Sequence, residues 1–275
     1  MSTTAASKII VRRFVLLGSA AGGGVSVYGS YKAHYDPIHL VWDLDNTLLC
    51  SVTPVPHQTT NNNNNSFLRY DYFDHMDDDF PYANNLPNTR TYWRPGARTA
   101  LQICSLFAIQ HIYTTAQGTY TENILNQMQR HLFHTVIHRD IAPTSVRCGK
   151  DLSLILDELH KQETGNKSSS IGLHRILLFD DRLKNFAPQN GRNGVHVPPF
   201  EVALNKPEND NDDISSSRST LVPITIKDWW REGKQVVRMV GIAVLALLVP
   251  GDIRDSLLPY VRTSQHNERF PPTDD

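Results

Sequence analysis

Short apolar runs alternate with stretches of helical spacing along most of this chain. Ile38–Trp42 predicts a first strand. Ala100, Leu101, Cys104, Phe107 and Ala108 then follow helical spacing, and Ile109–Tyr113 predicts a second strand. Ile124, Leu125, Met128 and Leu132 give Tyr120–Leu132 one apolar helical face. Val136–His138 reads as a short strand, and Leu152, Ile155, Leu156 and Leu159 as an amphipathic helix. Ile176–Phe179 is a continuous apolar run, the pattern of a central parallel strand covered on both faces. Val195–Val197 predicts a further strand. The run Met239–Pro250 is too short to cross a bilayer and reads as a buried helix, with Trp229 and Trp230 expected to pack that last helical region on the sheet. Strand–helix alternation of this kind predicts an α/β doubly wound domain.

Polar segments interrupt the pattern. Ser51–Asn65, with five consecutive asparagines from Asn61, reads as a mobile surface insertion. Phe67–Asn88 mixes aromatics with Asp74, Asp77, Asp78 and Asp79, and the expectation is a solvated loop rather than a metal site. Lys161–Ser170 is polar and is expected to loop out, and Lys206–Thr220 reads as a linker.

Composition narrows the field. The chain has 275 residues and a formal net charge of −1, which gives no bulk attraction to nucleic acid. Cys50, Cys104 and Cys148 are too far apart for a CxxC pair and odd in number, which fits a reduced compartment or buried thiols. No acidic residue precedes Asp36, while Lys8, Arg12 and Arg13 lie ahead of an uncharged, glycine-diluted run from Phe14 to Tyr31. A signal anchor, an organellar presequence and a flexible leader all fit that segment. A membrane-tethered or mitochondrial location is favoured over a nuclear or cytosolic one.

Chemistry enters at Asp43 and Asp45, two carboxylates directly after the first strand and beside the turn-forming Asn46-Thr47. Ligands of open α/β sheets bind at that edge. Two acids so close repel each other unless a cation or shared proton lies between them. The pair suits Mg2+-assisted phosphoryl transfer, one carboxylate acting as nucleophile and the other as acid/base; a strand end capped by turn formers is the plainer alternative. Asp180-Asp181 ends another apolar strand and would meet the first pair on the same edge, a set that calls for a hard cation. Thr114 and Thr115 could offer a hydroxyl to a phosphoryl oxygen, and Lys150, read as opening a helix, could neutralise the transferring group. His131, His134 and His138 recur along one stretch but lack an obvious further ligand for a metal.

The ordered motifs DLDNTLL, YWRPG, IYTT with Tyr120 six residues beyond Thr114, RD near GKDL, and LLFDDR resemble those of the C-terminal-domain phosphatase family of the haloacid dehalogenase superfamily. The resemblance extends to a closing Gly251-Asp252-Ile253-Arg254. It implies a Rossmann-like domain with a central parallel sheet flanked by helices and no large cap domain. The expected layout is a leader over 1–36, a catalytic domain over 37–263 with an Asn-rich insertion at 51–66 and a linker at 206–220, and a disordered tail over 264–275. The implied activity is Mg2+-dependent dephosphorylation of phosphoserine or phosphothreonine in a protein or peptide. Asp43 would be the nucleophile, Asp45 the acid/base, Thr114 the phosphate-binding hydroxyl with Thr115 as its one-residue alternative, and Lys150 the neutralising lysine. Mg2+ would be held by the Asp43 carboxylate, the Asp45 carbonyl and Asp181, with Asp180 orienting Lys150. Arg94, in the RPG element, is a candidate substrate contact whose expected role is structural before catalytic. The related presequence-receptor subunit of the mitochondrial inner-membrane translocase shares the domain, so a peptide-binding module with translocase partners is the alternative function. Thr114-Thr115-Ala116 departs from the commoner Thr-Ala-Ser, the Asn-rich insertion sits where many members have a short loop, and the polar stretch before Ile176 is longer than usual; these bear on substrate choice more than on catalysis.

Overall fold

The computed structural model describes residues 37–53, 70–75, 89–162, 172–186, 192–205, 220–221, 224–249 and 252–256. The leader, the asparagine run, residues 206–219 of the linker and the 264–275 tail lie outside the described residues. In chain order the elements begin with β1 (Ile38–Trp42), β2 (Leu49–Val52), β3 (Tyr72–His75), β4 (Thr89–Trp93), α1 (Ala97–Cys104) and β5 (Ala108–Tyr113). They continue with α2 (Gly118–Gln127), β6 (Phe133–Ile137), α3 (Ser145–Cys148), α4 (Ser153–Gln162) and β7 (Ile176–Asp180). The last are β8 (Gly194–His196), β9 (Leu204–Asn205), β10 (Thr220–Leu221), α5 (Ile226–Leu248) and α6 (Ile253–Ser256).

Five parallel strands form the central sheet in the order β6-β5-β1-β7-β8. The chain winds from β1 out through β5 and β6, then returns to place β7 and β8 on the other side. The order reverses at β1, and ligands of open α/β sheets bind outside the carboxyl ends of the strands at such a switch point. Every residue of β1 and β7 is buried, because helices cover both faces. Leu40, Trp42, Leu177 and Phe179 face a core filled from α1, α2 and α5. Val41, Ile176 and Leu178 face the opposite core, with Leu152, Ile155 and Leu159 of the α4 region. The Trp42 and Phe179 rings stack at 4.5 Å, and the Trp42 indole donates to Gln110 at 3.0 Å. His39 of β1 and His111 of β5 meet in the second core, Nδ1 to Nε2 at 3.0 Å.

A second, antiparallel sheet, β2-β4-β3, reaches into the predicted insertion and loop. Ser51 and Val52 belong to β2, and Tyr72–His75 is a strand within the acidic stretch. Asp74 is held by Arg90 at 2.5 and 2.7 Å, so this acid of the cluster serves the sheet; Asp77–Asp79 lie outside the described residues. The helix predicted over Tyr120–Leu132 stops at Gln127, because Gln129 adopts a left-handed conformation (φ 64°) before a single 3₁₀ turn. Likewise α1 ends at Cys104, leaving Phe107 in the turn into β5.

Met239–Pro250 is not a separate buried helix. Met239–Leu248 forms the second half of the 23-residue α5, capped by the Thr225 hydroxyl accepting the Asp228 N–H at 3.1 Å. Trp229 and Trp230 do not pack on the sheet as expected but are 37% and 57% exposed. Among the described residues, no helix is long and apolar enough to cross a membrane. All three cysteines are free; Cys148 is exposed.

Candidate active site

Asp43 follows the last residue of β1, and its N–H donates to the Phe179 carbonyl at 3.0 Å, extending the β1–β7 pairing to the point where the chain leaves the sheet. The next residues turn sharply. The N–H groups of Leu48 and Leu49 both reach the Leu44 carbonyl, at 2.9 and 3.1 Å, and Asn46 sits at φ 58°. Asparagine tolerates that left-handed conformation better than most residues, which is the physical reason for an Asn in this turn. Gly96 ends the RPG turn before α1 at φ 85°, a conformation that a side chain would strain.

The structure brings Asp43, Lys150, Asp180 and Asp181 together. Lys150 Nζ donates to Asp43 Oδ1 and to Asp180 Oδ2, each at 2.6 Å, and its side chain is fully buried. Asp43, Asp180 and Asp181 each offer an oxygen within 4.8 Å of the others. The Thr47 hydroxyl lies between the two motifs, 3.4 Å from Asp43 and 3.5 Å from Asp181. Asp180 is fixed further by the Arg182 N–H at 2.8 Å and by the Asn185 amide at 2.9 and 3.0 Å. Lys150 does not open a helix. It lies in an extended bridge to Phe186, its N–H donating to the Asn185 carbonyl at 2.8 Å, after Gly149 at φ 82°. That bridge carries the ammonium across to the ends of β1 and β7.

Electrostatically the cluster is short of positive charge, with one ammonium facing three carboxylates. Burial, and next the charge of Asp180, push the Asp43 carboxyl well above its usual range, with Lys150 opposing. Asp181 is pushed up by burial and by Asp180. Burial acts to discharge Lys150, but the two carboxylates outweigh it and hold its pKa above the ordinary value. Arg182 reaches Asp181 only at 3.9 Å and is half exposed. An all-oxygen donor set with excess negative charge fits Mg2+.

Asp45 stands outside that cluster, half-buried on the turn. Its Oδ1 accepts the Tyr120 hydroxyl proton at 2.6 Å. The Tyr120 oxygen is in turn 2.7 Å from Ser51 Oγ, which lies 2.7 Å from the Thr91 hydroxyl. This chain of hydroxyls ties Asp45 to β2 and β4. Tyr120 enters the sequence comparison only through its spacing from Thr114, and nothing in the sequence announces its bond to Asp45; Thr47 and Asn185 are likewise visible only in the fold.

Thr114 follows β5, beside β1, and is buried; its N–H donates to the Ile137 carbonyl at 2.9 Å. Its hydroxyl oxygen accepts the Ala116 N–H at 3.1 Å, which leaves the hydroxyl proton to give elsewhere. Thr115 is half-buried on the same turn. Arg94 is fully buried and directed at the protein. It donates to Glu232 at 3.1 Å, to the Thr47 carbonyl at 2.7 Å and to the Pro198 carbonyl. Burial lowers its pKa, and the Glu232 carboxylate opposes that shift. His131, His134 and His138 do not converge as a group that could hold a metal ion; among the described residues Asp43, Asp180 and Asp181 do.

The chain is similar in structure to the fission yeast RNA polymerase II CTD phosphatase Fcp1 bound to beryllium fluoride, at 16% identity and TM-score 0.44 over 82% of this chain and 55% of that one. A second structure of Fcp1, an essential RNA polymerase II CTD phosphatase, gives 15% identity and TM-score 0.43 over 94% and 59%. An uncharacterised Listeria monocytogenes serotype 4b protein gives 13% identity and TM-score 0.41 over 77% and 99%. The chain thus spans little more than half the length of the two Fcp1 structures. No curated protein matches it. The family profile of NLI interacting factor-like phosphatases matches residues 38–221, from β1 through β10. The chain belongs to that family of phosphatases.

Proposed function

We propose that this protein is a Mg2+-dependent phosphoserine/phosphothreonine protein phosphatase working through an aspartyl-phosphate on Asp43. The observation that carries the reading is the buried Asp43–Lys150–Asp180 array with Asp181 beside it. The Asp43 and Asp181 carboxylates and the Asp45 carbonyl would hold Mg2+, which when bound offsets charge on the phosphoryl oxygens. An Asp43 oxygen attacks phosphorus as the bond to the serine or threonine oxygen breaks, and Asp45 gives its proton to the departing alkoxide. Asp45 then takes a proton from water as that water attacks phosphorus, the bond to Asp43 breaks and phosphate leaves. Lys150 keeps the Asp43 carboxylate oriented and lies where it can neutralise the transferring group. Thr114 supplies a hydroxyl to a phosphoryl oxygen, with Thr115 next in line. Arg94 acts from behind, holding the Thr47 carbonyl and with it the turn that carries Asp45.

The test is turnover of a phosphoserine peptide with the wild type and with Asp43→Asn, in Mg2+ and in excess EDTA. Loss of the covalent nucleophile removes the pathway, so the rate should fall by several orders of magnitude while the fold survives. Undiminished turnover by the variant, or in EDTA, sinks the mechanism. The comparisons lend no support to the translocase-subunit alternative. Absence of Mg2+-dependent beryllofluoride binding, together with no turnover, would revive it.

A further inference from the structure

α5 buries one face against the sheet and leaves the other uncovered by described residues. Ile226 (67% exposed), Trp230 (57%), Val237 (71%), Val244 (36%) and Leu248 (38%) fall at spacings that keep them on one side of the helix. Gly233 and Gly241 lie on the same side, and a Cβ added to either meets no atom within 4 Å. The result is an apolar strip about 33 Å long, from the rise of a 23-residue helix. Beside it runs a basic strip of Lys227, Arg231, Lys234 and Arg238. The acids of α5 are both engaged: Asp228 with Arg231 at 2.9 Å and Glu232 with Arg94 at 3.1 Å. Lys227, Lys234 and Arg238 make no salt bridge among the described residues.

From this juxtaposition we infer that the outer face of α5 is a docking surface for an anionic lipid bilayer, with the helix lying in the plane of the interface. Long apolar strips flanked by cations on one helix suit that position: the apolar side enters the headgroup boundary and the cations meet lipid phosphates and carboxylates. Trp229 and Trp230, with an apolar body and a polar N–H, belong at such a boundary. A protein partner would need an acidic groove of the same length. A bilayer supplies the complementary charge along the whole helix. The bilayer also accepts the glycines, since a flat surface needs no matching knobs.

Co-sedimentation of the full chain with phosphatidylcholine–phosphatidylserine vesicles and with pure phosphatidylcholine vesicles tests this. Binding to the anionic vesicles is expected, weakened at least ~10-fold by Lys234→Glu/Arg238→Glu, since each basic residue near the surface adds to attraction. Val237→Glu should abolish it while leaving turnover of a soluble phosphopeptide unchanged. Site-specific evidence comes from vesicles with brominated acyl chains. Trp42 and Trp93 are buried, so quenching reports on Trp229 and Trp230 and should vanish in Trp229→Phe/Trp230→Phe. Vesicle binding unaltered by Val237→Glu would place the membrane contact elsewhere and overturn the proposal. So would no binding at all, or a concentration-dependent dimer that Val237→Glu dissolves, since the face would then belong to a second copy.

Discussion

Arg94 separates two readings of the RPG element, because a substrate contact and a buried brace fail differently. Consider Arg94→Met, which keeps the length of the side chain and removes the guanidinium. Glu232, 8% exposed, keeps among the described residues only the largely exposed Arg231 as partner, at 3.0 Å. The Thr47 and Pro198 carbonyls lose their donor. Breaking one side of a buried ion pair costs about 3–5 kcal/mol. At roughly 2–4 °C per kcal/mol for a domain of this size, the Tm should fall by about 6–20 °C. Adding Glu232→Leu removes the stranded carboxylate, so the double variant should recover about 1–3 kcal/mol, a coupling that independent sites do not show. The assays are denaturant unfolding and phosphopeptide kinetics well below the Tm. There kcat should drop through the loosened Thr47 turn, with KM little changed. The reasoning is refuted if Arg94→Met retains wild-type stability while KM rises sharply, for then the guanidinium binds substrate.

Other outcomes follow from the same geometry. Tyr120→Phe removes the hydroxyl that holds Asp45, a bond to a charged group worth about 1.5–3 kcal/mol, and should lower stability by no more than that while lowering kcat roughly 10- to 100-fold; full activity would show that the hydroxyl chain is idle. His111 is buried beside His39 and His134, and burial first, then His39, lowers its pKa well below the ordinary 6.5. A depressed histidine pKa means that the folded state resists protonation, so stability is full above pH 6.5 and declines as pH falls below it. His111→Asn should flatten that decline in urea titrations at successive pH values; an unchanged slope would show that another group governs it.

Much of this site was readable in the order of residues. Asp43, Asp45, Thr114 and Asp180-Asp181 each follow an apolar run, and parallel pairing sends such ends to one edge whatever the intervening chain does. The sequence could not show which atoms meet. Lys150 reaches the site through an extended bridge with Phe186, a partner set by tertiary contact rather than by local pattern. β3 was hidden because four residues, Tyr72–His75, carry no clean alternation and pair with β4 across the segment between them. Gln129 ended a helix without any glycine or proline to mark the stop. The two halves of α5 read as separate features because the charges from Lys227 to Arg238 break the apolar run, although the helix is continuous.

The place of β1 at the middle of the sheet also governs how the protein comes into being. Val41 is in register with His111 on one side and with Leu178 on the other. Both neighbours are distant in the chain, and such pairings form slowly because long loops must close first. During synthesis the strand that leads into Asp43 emerges early, with two open edges and two apolar faces, long before β7 exists to cover it. Asp180 and Asp181 arrive with β7, so the carboxylate cluster assembles only when the sheet closes. Under the proposed mechanism a nascent or half-folded chain is therefore catalytically silent. The five residues that aim Asp43 are, until that moment, a segment of the chain open to mispairing with another.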